Sequence, residues 1–325
     1  MYDCRFAWPD GAHIAVVFNM SWETWEKKLG TSDNNQKSSE RVPPHAKYGR
    51  GMRWIYEHAY AETGGMQRLL DLWRRHGIRT STYADGHTVS LFPGLAKAAA
   101  DEGHEFIVQG WEHNYFWDMS VEEQADGIDR TIAAFKDLGI AWSGFSSPGG
   151  HLTAETFPLI VERGFKYACG LRNVDVPFII PVGTRKLVGM TSYAISDFSS
   201  YSTADTPPRD VIDMWRDCFD ALYDEGQRGH PKMLAFGTHP ILAHGYRTRP
   251  LEDLIRYVKS KPGVWITTRG DIAEWMLENY PDLDLSKFYP EAIASDRHYG
   301  LGIGLGGEEA LDEAASYRRS WPQNK

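Results

Sequence analysis

The sequence predicts an α/β fold, a parallel barrel of βα units. Two observations carry this: amphipathic helix, glycine, strand and loop alternate about seven times along the chain, and the chemically active side chains collect just past the strand ends. At 325 residues the chain is long enough for one such barrel.

The elements follow in order. His13 to Phe18 is an apolar run bounded by Asp10-Gly11 and by the polar residues after Met20, as expected of a strand buried on both faces. Residues 30–50 are rich in Ser, Asn, Gly and Pro without periodicity and read as a long functional loop. Thr63 to Trp73 reads as a helix ended by His76-Gly77, then Ile78 to Tyr83 as a strand. The alternation continues with helices near 92–102, 120–139, 154–164, 210–226, 251–260 and 271–279. Strands are expected at 105–108, 142–146, 167–168, 232–237 and 264–267.

Composition narrows the function. With 42% hydrophobic and 24% charged residues the chain is globular, and a net charge of -9 without basic blocks disfavours nucleic acid and anionic membranes. Cys4, Cys169 and Cys218 form no CxxC pair and read as reduced thiols. The N-terminus lacks a basic stretch leading into an apolar run, so a cytoplasmic protein with a small-molecule substrate is expected.

In a βα barrel chemistry sits at the C-terminal ends of the strands. There the sequence places Glu23, Asp85 with His87, Gln109 to His113, Ser146 to His151, and His239. Glu23 is a carboxylate able to activate water, and His239 an imidazole able to protonate a leaving nitrogen. Gln109 offers a carbonyl and an NH2 for reading an amide or imide, and is a poor zinc ligand. His113 is a metal ligand or a substrate hydrogen-bond partner. Glu112, Asp85, His87, Ser147, Asp175 and Arg247, with Arg249 as its alternate, are candidate substrate-binding groups. His244 reads as structural or gating. Ser146 and Ser147 have no neighbouring base, and GLGIGLGG at 300–307 lacks the strand–turn–helix context of a nucleotide loop.

Several stretches together resemble the NodB-homology polysaccharide deacetylases over residues 10 to 280: GAHIAVVFN, LLDLWRRHGIRTSTYADGH, GHEFIVQGWEHN, FSSPGG, VDVPF and FGTHPILAHGYRTRPLEDLIRYVKSKPGVWITT. The last is most similar to the branch of allantoinases and cyclic-imide hydrolases. The resemblance implies a distorted, incomplete (β/α) barrel over residues 1–284, a C-terminal extension at 285–325 packed on the barrel or a partner subunit, and a homo-oligomer. It also implies that His239 is the general acid and that Glu23 matches a glutamate of the allantoinase-like branch. Typical members carry an Asp pair after the first strand and paired histidines after the third. Here these fall on Asn19-Met20, on Gln109 and on His113, so only His113 keeps its type.

The expectation is a hydrolase of a non-peptide C–N bond in a small cyclic amide, imide or ureide, with Glu23, His113 and His239 catalytic. No cofactor is certain, and a weakly held divalent metal such as zinc on Glu23 and His113 is the variant. A metal-dependent N-deacetylase of a small molecule or peptidoglycan-like sugar is the alternative enzyme, and a non-catalytic binding protein the alternative of another class.

Overall fold

The computed structural model describes residues 6–23, 56, 59–172, 174–191, 196–203 and 206–284. The expected loop at 30–50, the extension at 285–325 with its glycine-rich stretch, and Cys4 lie outside the described residues.

After a short turn the chain enters β1 (Ile14–Trp22), then a π-helical turn (Ala61–Gly65) leading directly into α1 (Met66–His76). Met66, Leu69, Leu70, Leu72 and Trp73 give α1 one apolar face, and Gly77 ends it in the left-handed conformation. There follow β2 (Ser81–Ala84), α2 (Gly86–Leu91), α3 (Pro93–Asp101), β3 (Glu105–Val108), α4 (Val121–Asp137), β4 (Trp142–Phe145), α5 (Thr156–Glu162) and β5 (Tyr167–Leu171). Ser120 and Glu123 close a capping box at the start of α4, fixing where the loop after β3 must end.

An antiparallel hairpin comes next, β6 (Phe178–Val182) and β7 (Arg185–Thr191), turning at Gly183 with φ of 58°. It was not foreseen, because Phe178-Ile179-Ile180 is too short an apolar run to separate from the surrounding loop. Then come α6 (Asp197–Thr203), α7 (Pro208–Gln227), β8 (Lys232–Thr238), α8 (Gly245–Lys259), β9 (Val264–Thr267) and α9 (Arg269–Asn279).

The nine strands form one sheet in the order β6-β7-β5-β4-β3-β2-β1-β8, with β9 also on β1, and the sheet does not close into a barrel. Every pair except the hairpin is parallel. One edge of β1 is taken by β8 from Ile14 to Met20. Its other edge is divided: β9 pairs with Ile14 to Val17, and β2 with Asn19 to Trp22.

Strand alternation sorts the core into two layers. Ile14, Val16, Phe18, Met20 and Trp22 pack outward against the helices, while Ala15 and Val17 join Ile107, Met233 and Ala235 inside the curved sheet. That inner layer also holds a polar floor. Arg269 is fully buried, donating from Nε to Asn19 Oδ1 (3.4 Å) and from Nη1 to the Thr191 carbonyl (3.0 Å). Glu105 is bonded by Tyr167 Oη (2.6 Å), Ser81 Oγ (2.7 Å) and the Gly270 N–H (3.1 Å), yet burial still raises its carboxyl pKa.

Candidate active site

Register places the polar residues in a row. Trp22 pairs with Ala84, Ala84 with Val108, and Val108 with Phe145, so the next residues on each strand are Glu23, Asp85, Gln109 and Ser146. Period-two alternation carries Glu23 and Gln109 onto the same inner face as Val17 and Ile107. On the neighbouring strand Thr238 pairs with Met20, which brings His239 to the rim beside the end of β1.

Glu23 and Gln109 meet directly: Gln109 Nε2 donates to Glu23 Oε1 at 3.0 Å. His113 Nδ1 stands 3.6 Å from Glu23 Oε2, and both side chains are nearly buried. The loop carrying His113 is fixed from α2, where the Gly86 and His87 N–H groups donate to the carbonyls of Gly110 and Trp111. A side chain at Gly86 has no room, because its Cβ would lie 2.6 Å from Thr131 Oγ1 and 2.9 Å from the Trp111 ring. Tyr115 is also close: burial raises its phenol pKa, and the charges of Glu23 and Asp118 raise it further.

The second pair was missed by the sequence. His239 Nδ1 lies 2.6 Å from Asp197 Oδ1, and the His239 N–H donates to Asp197 Oδ2 at 2.8 Å. The Asp197 carboxylate accepts at both oxygens, so Nδ1 carries the proton it shares and Nε2 is the ring nitrogen that Asp197 does not engage. Asp197 opens α6, set against β8 by the Ser196–Gly237 bridge. Its only sequence signal was an Asp-Phe-Ser-Ser stretch in a region without legible periodicity.

The turn after His239 is braced from the opposite side. Arg68 Nη1 donates to the Ala243 carbonyl (2.8 Å), and His244 stacks on Tyr60 with ring centroids 3.9 Å apart, so His244 has a bracing position. Arg247 lies 4.4 Å over the Tyr201 ring and lines, with Asp197 and His239, a small cavity of about 20 Å³. Arg249 points to the surface, 3.8 Å from Glu252.

The remaining candidates divide. His87 and Glu112 pair at 3.2 Å beside Trp111, Asp85 is buried at the start of α2, and Ser147 is buried after β4. Asp175 is not brought to this end. Its carbonyl accepts the Met233 N–H and its carboxylate stands 3.6 Å from Lys232 Nζ, at the start of β8 and the opposite end of the sheet. Asp175 lies in the bend between β5 and the unread hairpin, so it does not follow a strand end as the sequence predicts.

The donors do not match a zinc shell of three protein ligands. Among the described residues no group of three His, Cys, Asp or Glu stands close enough to share an ion. Glu23 and His113 supply two donors, Gln109 turns its NH2 toward Glu23, and Asn19 keeps its oxygen on Arg269.

Residues 55–168 match the family model described as Polysaccharide deacetylase. Over that stretch, about a third of its length, the chain is similar to a polysaccharide deacetylase domain. The chain is 24% identical over 321 residues to a putative polysaccharide deacetylase of Schizosaccharomyces pombe, covering 84% of the chain and 93% of that relative. It is 24% identical over 257 residues to a peptidoglycan deacetylase of Helicobacter pylori, covering 68% and 87%. The solved Puue allantoinase shares its fold, with a TM-score of 0.74 at 24% identity over 84% of this chain and 93% of that one.

Proposed function

We propose that this chain hydrolyses the C–N bond of a small cyclic amide, imide or ureide. One observation carries the choice. Gln109 gives its NH2 to the Glu23 carboxylate, so its Oε1, buried and without a hydrogen-bond partner among the described residues, is left to accept an N–H from a substrate. An imide or ureide presents such an N–H beside the carbonyl to be cleaved. The class of reaction, hydrolysis of a non-peptide C–N bond, is the one that the names of the deacetylase and allantoinase relatives share.

In this mechanism Glu23 takes a proton from water as the water oxygen attacks the carbonyl carbon. His113 Nδ1 stands 3.6 Å from the other oxygen of the Glu23 carboxylate. His239 acts as the imidazolium: with Nδ1–H held by Asp197, it gives its Nε2 proton to the nitrogen as the C–N bond breaks, and is reprotonated from solvent after each turnover. The products are a carboxylate and the released nitrogen group, an amine from an amide, an amide from an imide and a urea from a ureide, joined in one molecule when the substrate is cyclic.

Assay of purified protein against hydantoins, cyclic imides, allantoin-type ureides and N-acetylated sugar oligomers tests the reading. Turnover of a ureide or imide supports it; turnover confined to N-acetyl sugars assigns the chain to the deacetylase reading instead. In the same proposal the protein works in the cytoplasm on a diffusible substrate and assembles as a homo-oligomer through residues 285–325. Light scattering of the full chain against a variant ending at Asp284 tests the assembly. No helix among the described residues is long and apolar enough to cross a membrane.

A further inference from the structure

A groove of about 1010 Å³ opens beside His113 and runs along the start of α4. His113 and Tyr115 form its inner end, next to Glu23, so it is continuous with the candidate active site. Its walls are aromatic: Trp111, Tyr115 and Trp117, the last 46% exposed and stacked 3.7 Å from the His151 ring. An exposed tryptophan held by a neighbouring ring is a preformed face, with little freedom left to lose on binding.

The charges around these rings are one-sided. Among the described residues, Glu112, Asp118, Glu122, Glu123 and Asp126 border the groove against a single Lys or Arg, Arg130. Part of that charge is answered locally. Glu123 caps the helix it belongs to, Glu112 pairs with His87, and the start of α4 contributes roughly half a positive charge. The balance is still negative, and Asp118 and Trp117 both line the groove. Arg130 shows what these walls accept: its guanidinium sits 4.0 Å over the Trp111 ring and 3.6 Å from Asp126. Tyr115 and Trp117, with ring centroids 5.2 Å apart, offer further aromatic surface in the same groove, which Asp118 also lines.

We propose that this groove receives a cationic tail of the substrate, an ammonium or guanidinium group separated by a short chain from the amide, imide or ureide held at Glu23 and Gln109. The proposal rests on the functional reading above for the reacting end and on the groove alone for the tail. Aromatic faces with a negative surround favour a cation and repel a carboxylate of the same shape, so the groove selects by charge sign.

Binding without catalysis separates the two. The full-length protein is titrated with benzyltrimethylammonium, and separately with phenylacetate, following tryptophan fluorescence. Benzyltrimethylammonium is expected to bind, phenylacetate not to bind in the same range, and Trp117→Ala and Asp118→Asn each to weaken the cation about five- to twentyfold. Equal binding of both probes, no binding of the cation, or cation binding unchanged in both variants overturns the proposal. Hydrolysis of 5-(4-aminobutyl)hydantoin against 5-(2-carboxyethyl)hydantoin then reads the tail in turnover. A preference for the aminobutyl compound of tenfold or more in kcat/KM is expected, on the order of one RT ln 10 step, and a preference for the carboxyethyl compound overturns it. If neither is hydrolysed while the cation binds as stated, the reading of the reacting end fails and the groove assignment stands.

Discussion

Asp197 holds His239 twice, at 2.6 Å through the ring Nδ1 and at 2.8 Å through the backbone N–H. One carboxylate therefore sets both the tautomer of the imidazole and the direction in which the strand delivers it. Asp197→Asn is expected to lower kcat about 10- to 1000-fold with a small change in KM, because an amide in place of the carboxylate no longer stabilises the imidazolium that gives up its Nε2 proton. His239→Ala should cost as much or more. Steady-state kinetics of the two variants check this, and an unchanged kcat in Asp197→Asn would remove the histidine from its acid role.

Glu23→Gln removes the only carboxylate that Gln109 and His113 both face. It is expected to lower kcat by about 100-fold or more. Gln109→Ala leaves that carboxylate but loses the acceptor for the substrate N–H, so its effect should fall on kcat/KM by about 10- to 100-fold. If both variants lose activity equally, Gln109 acts on Glu23 and not on the substrate.

Gln109→His supplies a third donor beside Glu23 and His113. Dialysed against chelator and then given zinc, this variant should retain about one zinc per chain by elemental analysis, while the natural chain retains clearly less and keeps its activity after chelation. Stoichiometric zinc in the natural chain, with activity lost on chelation, would reverse the reading of the donor set.

Gly65→Ala tests the brace behind His239. Its Cβ would lie 1.8 Å from the Pro240 carbonyl oxygen, so the π-helical turn or the His239 turn must move. A loss of about 1–3 kcal/mol in stability is expected, together with a fall in kcat; a thermal melt and a kinetic assay on the same sample read both. Normal kcat at lowered stability would show that the turn is not mechanically coupled to His239.

His104 gives the fold an acid-sensitive point. Its Nδ1 accepts the Thr80 N–H at 3.0 Å, which requires a neutral ring, and burial lowers its pKa below the usual histidine value. The unfolded chain thus binds a proton more readily than the folded one. Stability is full above the unfolded value near 6.5 and falls as pH drops below it, by at most about 1.4 kcal/mol per pH unit. Denaturant melts from pH 8 to pH 5 should show this slope, and His104→Asn should flatten it.

The sequence made the βα alternation legible because each helix carries its own apolar face and each strand ends at a glycine or polar break. Glu23, Gln109, His113 and His239 were legible as a group for the same reason: Glu23, Gln109 and His239 directly follow strands, and His113 stands on the loop after β3. Asp197 was not, since it acts from a short helix between two stretches without periodicity, and only the Ser196–Gly237 bridge places it beside β8. Asp175 was assigned to the wrong end because nothing local distinguishes the top of a strand from the bottom of its neighbour. The Arg269 floor was equally hidden; an arginine opening a helix reads as a surface cation until the β9 insertion points it inward.

The divided edge of β1 bears on the order in which the molecule is completed. As the chain is synthesised, Glu23, Gln109 and His113 all emerge before Lys232, but β1 then has only β2 on the upper half of one edge. Its entire second edge and the lower half of the first wait for β8 and β9, contributed by residues 232–238 and 264–267. A ribosome-bound chain short of Val264 therefore exposes unpaired backbone groups on its most apolar strand, an open template for another chain. Truncation in this region leaves a sticky fragment, and the catalytic rim is among the last parts of the molecule to assemble.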